Sequence, residues 1–136
     1  MNPSTLSHLP WSVSRSEFVN TARDTGRDGA CLVFVIAQEI PPTARAGYAQ
    51  LIIAYARANE PVTIDRDGTS ALLITEGGVD AGRVVADRIF SLMRRISLET
   101  TIRAGVAALG TDVEAAIATA RDRADRASPA AVILED

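Results

Sequence analysis

The sequence predicts an α/β sandwich of the ferredoxin-like or palm type, with helices flanking a central, mostly antiparallel sheet of five strands. Apolar runs alternate with segments of helical periodicity, and two short apolar runs enclose a tight turn near the middle of the chain. The chain has 136 residues, 47% of them hydrophobic, enough for one core without disulfides. Because there is no repeat and no internal linker, we expect residues 1–136 to form a single domain.

The first half of the chain predicts a helix, a strand and a second helix. The motif SRSE (residues 14–17) is a capping box that predicts a helix start. ACLVFVIA (residues 30–37) is continuously apolar, which is typical of a central strand covered on both faces. The prolines of EIPPT favour a following helix start, and the apolar stripe of that helix runs to about Ala58.

The second half predicts a hairpin and then two helix–strand pairs. PVTI and SALLIT are two short strands that flank the tight turn in DRDGTS (residues 65–70). A helix is expected from Asp80, followed by a strand in TTIRAGVAAL (residues 100–109). TDVE (residues 111–114) is a second capping box, and AAVIL (residues 130–134) predicts a last strand.

The composition of the chain limits the classes of partner and ligand that it could bind. A net charge of −3 and a pI near 5.1 argue against a general nucleic-acid surface. All fourteen basic residues are arginine, so every cationic contact to a ligand would be made by a planar guanidinium. The apolar runs are too short for a membrane span, and no secretory leader precedes them, so we expect a cytoplasmic protein without a membrane partner. The single cysteine, Cys31, is expected to be buried.

Several motifs, taken in order, resemble the GGDEF domain of diguanylate cyclases. STLSHLP (residues 4–10) is similar to the family's D-x-L-T-G-L-P, and Arg15 and Phe18 resemble the R-x-x-F that follows it. DGTSALLI stands where the family has G-G-D-E-F-A-L-L-L. ADRI (residues 86–89) and RAGVA (residues 103–107) resemble A-E-R-I/L and S-I-G-V-A. The resemblance implies a bacterial signalling domain of a family that condenses two GTP molecules into cyclic di-GMP with two metal ions.

The residues that this chemistry needs are substituted. The register places the signature turn, now degenerate, on five residues: Arg66, Asp67, Gly68, Thr69 and Ser70. The family's acid at the end of the first strand falls in VIAQ (residues 35–38), which has no carboxylate. The guanine-reading residues have no counterpart, and the phosphate-contacting lysine falls on Ser128. We therefore predict no catalytic residue, no metal site and no cofactor.

Asp65 and Asp67 are an alternative metal site, since they are two residues apart and could converge. The acidic residues are more simply explained by the geometry of the turn itself.

A second feature of the family is an inhibitory site that binds cyclic di-GMP through R-x-x-D and a further arginine. In the same register these positions fall on Arg57, Glu60 and Arg88. A guanidinium can fork onto a guanine edge or a phosphate, and a carboxylate can accept from guanine N–H groups. The competing interpretation is a surface ion pair that contributes little.

Three functions follow from these patterns. The first is a catalytically inactive regulatory or sensor domain that binds cyclic di-GMP. The second is a scaffold for a protein partner or a homodimer. It could use the helix after the first strand, in a segment shorter than in the family, or the charged helical face ARDRADRA (residues 120–127), most simply a solvated face. The third, least favoured, is an active cyclase with relocated metal ligands.

Overall fold

The computed structural model describes residues 12–56 and 60–136. Helices and strands follow one another in the predicted order, and two short 3₁₀ turns (Gly26–Asp28 and Glu99–Thr101) are added. The elements are α1 (Arg15–Thr25), β1 (Ala30–Ile36), α2 (Pro42–Tyr55), β2 (Val62–Ile64), β3 (Ser70–Ile74), α3 (Gly78–Arg94), β4 (Ile102–Ala108), α4 (Val113–Arg126) and β5 (Val132–Ile133).

The five strands form one sheet in the order β2-β3-β1-β4-β5. All neighbours are antiparallel except β4 and β5, which run parallel, so the predicted mostly antiparallel sheet is confirmed. β1 lies in the centre and pairs along its whole length with β4. All seven of its residues are buried, as the unbroken apolar run predicts.

The helices cover both faces of the sheet because successive β1 side chains point to opposite sides. Leu32 and Phe34 pack with α2 and α3, and Phe34 meets Phe90 edge-on at a centroid distance of 5.6 Å. Cys31 and Val33 point the other way and pack with α1 and α4. Complete burial raises the pKa of the Cys31 thiol to about 12. Among the described residues, no helix has the length and apolar character that a membrane span requires.

The helix starts confirm one prediction and correct two. Ser14 caps α1, since its side chain accepts from the backbone N–H of Glu17. The cap of α4 is Asp112 rather than Thr111, because the Asp112 carboxylate accepts from the N–H of Ala115. α3 begins at Gly78, two residues before the expected start.

Close contact between α4 and β4 fixes the position of α4. A Cβ atom added at Gly105 would overlap the backbone of α4 at Ala120 and Ala124. Only a glycine therefore lets the helix axis approach the strand this closely. Since α4 carries Arg121, this contact also sets where the Arg121 guanidinium can reach.

Candidate functional site

The predicted hairpin turn joins β2 and β3. The N–H of Gly68 donates to the carbonyl of Asp65 at 3.0 Å, and the N–H of Asp65 donates to the carbonyl of Thr69 at 2.8 Å. The Asp67 carboxylate accepts from the N–H of Thr69 at 3.1 Å. Gly68 has a φ of 86°, a conformation that favours glycine. Four residues of the turn, from Asp67 to Ser70, thus have a role in its geometry or in β3, while Arg66 is exposed.

The turn lies against the end of the first strand. A Cβ atom at Gly68 would approach Ile36 Cδ1 to 2.8 Å and the carbonyl oxygen of Arg45 to 3.3 Å. A cleft of about 230 Å³ opens beside it, and Gln38, Asp67 and Arg121 are among its lining residues. The turn and the end of β1 are therefore neighbours, as the GGDEF resemblance implies.

Arginines pair with the carboxylates of the turn. Arg121 Nη2 lies 2.8 Å from Asp67 Oδ2, and Arg121 Nη1 lies 4.0 Å from Asp65 Oδ2. Arg15 Nη1 lies 3.5 Å from Asp65, and Arg15 also binds Glu114 through two contacts of 3.1 and 3.3 Å. We call these five residues, Arg15, Asp65, Asp67, Glu114 and Arg121, the turn cluster.

Hydrogen bonds and ion pairs within the turn cluster stabilise the charged forms of its side chains. Partial burial by itself would raise the pKa of Asp67, but the hydrogen bond from the Thr69 N–H and the pairing with Arg121 leave that pKa lowered. Partial burial by itself would lower the pKa of Arg121, yet the hydrogen bond to Asp67 leaves it raised. The hydrogen bond to Glu114 raises the pKa of Arg15. Asp67, Arg15 and Arg121 are thus charged at neutral pH.

The turn cluster does not fit the two-metal site that the GGDEF resemblance implies. Such a site needs several carboxylates that face a common centre, with few competing cations. In the part of the chain that the structure describes, no group of three or more aspartate, glutamate, histidine or cysteine side chains could hold a metal ion. Asp65 and Asp67, the alternative metal ligands, both face guanidinium groups.

Arg45, on the first turns of α2, is a residue that the sequence patterns did not single out. Its Nε donates to the carbonyl oxygen of Ile40 at 3.1 Å, and its Nη1 to that of Asp67 at 3.2 Å. Its Nη2 donates to the carbonyl oxygens of Ala37 at 3.1 Å and Gln38 at 3.4 Å. We call these four carbonyl oxygens the carbonyl cage.

Of the three predicted ligand-binding residues, the structure describes Glu60 and Arg88, which lie with α3 on the sheet face opposite α4. Arg88, on α3, binds Glu60 through contacts of 2.6 and 3.2 Å, and its Nη2 also donates to the carbonyl of Tyr55 at 3.2 Å. The Glu60 side chain is 10% exposed and that of Arg88 is 23% exposed. We call Glu60 and Arg88 the buried pair. Arg57 lies outside the described residues, as does the motif at residues 4–10.

The charged face of α4 is less solvated than its pattern suggests. Arg121 is committed to the hairpin turn, and Arg123 donates to the carbonyl oxygen of Val106 at 2.7 Å. Arg123 and Arg126 also pair with Asp136 at 3.2 and 3.4 Å. Much of the segment 120–127 therefore binds the domain itself.

Solved GGDEF domains are similar to this structure. The GGDEF domain of FimX from Pseudomonas aeruginosa matches with a TM-score of 0.65 and 15% identity, over 90% of this chain and 93% of that one. The GGDEF domain of PA1120 (YfiN or TpbB) from the same organism matches with a TM-score of 0.66 and 18% identity, over 94% and 99%. A DGC protein from Thermotoga maritima matches with a TM-score of 0.57 and 17% identity, over 81% and 95%.

No protein-family model and no curated protein matches the sequence. The shared architecture nevertheless covers nearly the whole chain. This chain has the fold of GGDEF domains. At 15–18% identity the likeness establishes the fold alone, and a shared fold does not determine function.

Proposed function

We propose that this chain is a GGDEF-like domain without cyclase activity that serves as a regulatory or sensor module in bacterial cytoplasmic signalling. The observation that carries the proposal is the 2.8 Å pairing of Asp67 with Arg121 in the hairpin turn. In the aligned register, this turn is where the family supplies acidic metal ligands.

Charge balance at the turn supports the loss of catalysis. Arg121 and Arg15 offset Asp65 and Asp67, and the segment VIAQ (residues 35–38), where the register places the family's first acid, has no carboxylate. Metal ions promote phosphoryl transfer by bridging phosphates and offsetting charge at the reacting oxygens. Without a group of carboxylates to position them, the remaining residues would contribute little to that reaction.

A nucleotidyl cyclase assay tests the absence of activity. The protein is incubated with GTP, or with ATP, in the presence of Mg²⁺ or Mn²⁺, with an active diguanylate cyclase as positive control. We expect no cyclic product above the protein-free background. Any cyclic mono- or dinucleotide that scales with protein concentration would contradict the proposal and favour an active enzyme with relocated metal ligands.

For the sensor role, we propose that cyclic di-GMP binds at Arg57, Glu60 and Arg88. The support is that Glu60 and Arg88, which are 28 residues apart, lie side by side, with Arg88 aligned by two contacts to Glu60. A guanidinium held in this way is pre-organised for a planar acceptor edge. Binding would have to exchange part of this pairing for contacts to guanine or phosphate.

Isothermal titration with cyclic di-GMP tests the sensor role on three proteins: the wild type, Arg57→Ala and the control Arg83→Ala. Arg83 is an exposed arginine on α3, the helix that carries Arg88. We expect binding heat for the wild type and the control, and at least a tenfold weaker affinity for Arg57→Ala, because one charge-assisted contact is lost. Absence of heat in the wild type would reject cyclic di-GMP as the ligand.

A scaffold role is the second candidate, and the buried pair itself favours it. Both terminal nitrogens of Arg88 are already engaged within the domain, by Glu60 and by the Tyr55 carbonyl. In addition, Val84 on α3 is 66% exposed. If titration shows no binding, light scattering across a concentration series would test for a homodimer, and Val84→Glu should weaken a dimer that uses this face.

A further inference from the structure

The carbonyl cage gathers backbone groups from two parts of the chain. Ala37, Gln38 and Ile40 belong to the loop that leaves β1, and Asp67 belongs to the hairpin turn. All four carbonyl oxygens lie within 3.1–3.4 Å of the Arg45 guanidinium. Their negative ends therefore face one small volume, an arrangement that needs a cation or several hydrogen-bond donors.

Arg45 meets that need through the shape of its side chain. A guanidinium has five N–H donors in a fixed plane, so one group can serve four acceptors that no ammonium could reach together. The carboxylate of Asp67 binds Arg121 while its carbonyl binds Arg45. Two arginines thus hold the hairpin turn from two sides.

The turn also lies close to the backbone of Arg45, since a Cβ atom added at Gly68 would come within 3.3 Å of the Arg45 carbonyl oxygen. Even one added methyl group at Gly68 would therefore be crowded against α2. The side chain of Arg45 accordingly reaches the carbonyl cage from a helix that already contacts the turn. The positive charge in the carbonyl cage therefore belongs to the chain itself, and the packing of α2 against the turn positions it.

We infer that the Arg45 guanidinium is a resident cation, which joins the hairpin turn to the end of β1 where the GGDEF resemblance implies metal ions. This inference deepens the proposed loss of catalysis, since it explains how the turn keeps its place without a metal. It predicts that the carbonyl cage is a guanidinium site in its own right, and that the fold does not respond to Mg²⁺.

Chemical rescue of Arg45→Ala tests the inference. Truncation removes four charge-assisted hydrogen bonds, and we expect the Tm to fall by about 5–10 °C. Guanidinium chloride at about 20 mM, well below denaturing concentrations, should then raise the Tm of this variant by about 2 °C as the free cation enters the cage. The same concentration should not raise the Tm of the wild type.

Three controls distinguish guanidinium binding in the carbonyl cage from general effects of salt, of uncharged N–H donors and of arginine removal. Sodium chloride at equal concentration controls for ionic strength, and urea controls for a planar N–H donor without charge. Arg66→Ala removes an exposed arginine from the same turn and should show neither the Tm loss nor the rescue. The inference is overturned if Arg45→Ala is as stable as the wild type, if urea rescues equally, or if Mg²⁺ rescues where guanidinium does not.

Arg45→Lys keeps the test informative if the alanine variant does not fold. Lysine retains the charge but cannot span the carbonyl cage, so we expect a smaller Tm loss and faster hydrogen exchange of the Gly68 and Thr69 amides. A Tm and exchange rates equal to those of the wild type would overturn the inference. The two failures are distinguishable, because cyclic product in the GTP assay contradicts the proposed function and leaves the rescue result untouched.

Discussion

The turn cluster and the buried pair use the same chemistry in different surroundings. In the turn cluster, the paired side chains are 40–58% exposed and share their contacts among five residues. In the buried pair, Glu60 is 10% exposed and Arg88 23% exposed, with a two-point contact between them. Water screens the first arrangement and is largely excluded from the second.

This difference in exposure indicates which charged residues contribute most to the stability of the fold. Single exposed pairs contribute little to stability, whereas removal of one partner from a desolvated pair leaves a charge in a poorly solvated site. We therefore expect the hairpin turn to tolerate changes of charge and the buried pair to resist them. Three measurements test this, from the largest expected effect to the smallest.

Arg88→Met should have the largest effect. The substitution keeps the apolar stem but removes the two contacts to the Glu60 carboxylate, so we expect the free energy of unfolding to fall by about 2–4 kcal/mol. Urea denaturation of this variant, with Arg83→Met as an exposed control on α3, gives the value. A loss below about 1 kcal/mol would show that the pair behaves like a surface pair.

Arg121→Met should have a smaller effect that depends on salt. It removes the 2.8 Å contact to Asp67 and the longer one to Asp65, and we expect a loss below about 1 kcal/mol at low ionic strength. In 1 M sodium chloride the variant and the wild type should have nearly the same stability, because screening acts strongly on exposed charges. The effect of Arg88→Met should persist in the same buffer.

Asp67→Asn should have the smallest effect on the free energy of unfolding, and this effect should depend on pH. The amide oxygen can still accept from the Thr69 N–H, so the substitution isolates the charge. Because the pKa of Asp67 is lowered in the folded state, its contribution is complete above its ordinary value of 3.8 and is lost as the pH falls through the folded value. Wild type and variant should differ slightly at pH 7 and should converge only as the pH falls below 3.8 and through the folded value. A difference that grows on acidification would contradict this sign.

The fold could be predicted from the sequence because its signals are local. The unbroken apolar run at β1, the Ser14 cap and the turn between β2 and β3 depend on residues close together in the chain. The start of α4 was wrong by one residue, since Thr111 and Asp112 are both good caps and only the geometry selects between them.

The site was less accessible to sequence reasoning because its contacts are distant in the chain. Arg121 and Asp67 are 54 residues apart, and Arg45 and Asp67 are 22 apart. Nothing in the periodicity of α2 or α4 distinguishes these arginines from others on exposed helix positions. Arg88 and Glu60 were found through their place in a family register, and the structure brings them together, while the binding of cyclic di-GMP stays a prediction.

Because Cys31 is buried, the rate at which its thiol reacts can be used to follow opening of the core. The thiol lies on the central strand, and both its complete burial and a pKa of about 12 keep the reactive thiolate scarce in the native state. An alkylating reagent at pH 8 can therefore modify it only during excursions that separate β1 from α1 and α4. The rate of labelling, measured by mass spectrometry, therefore reports the opening of the core around Cys31.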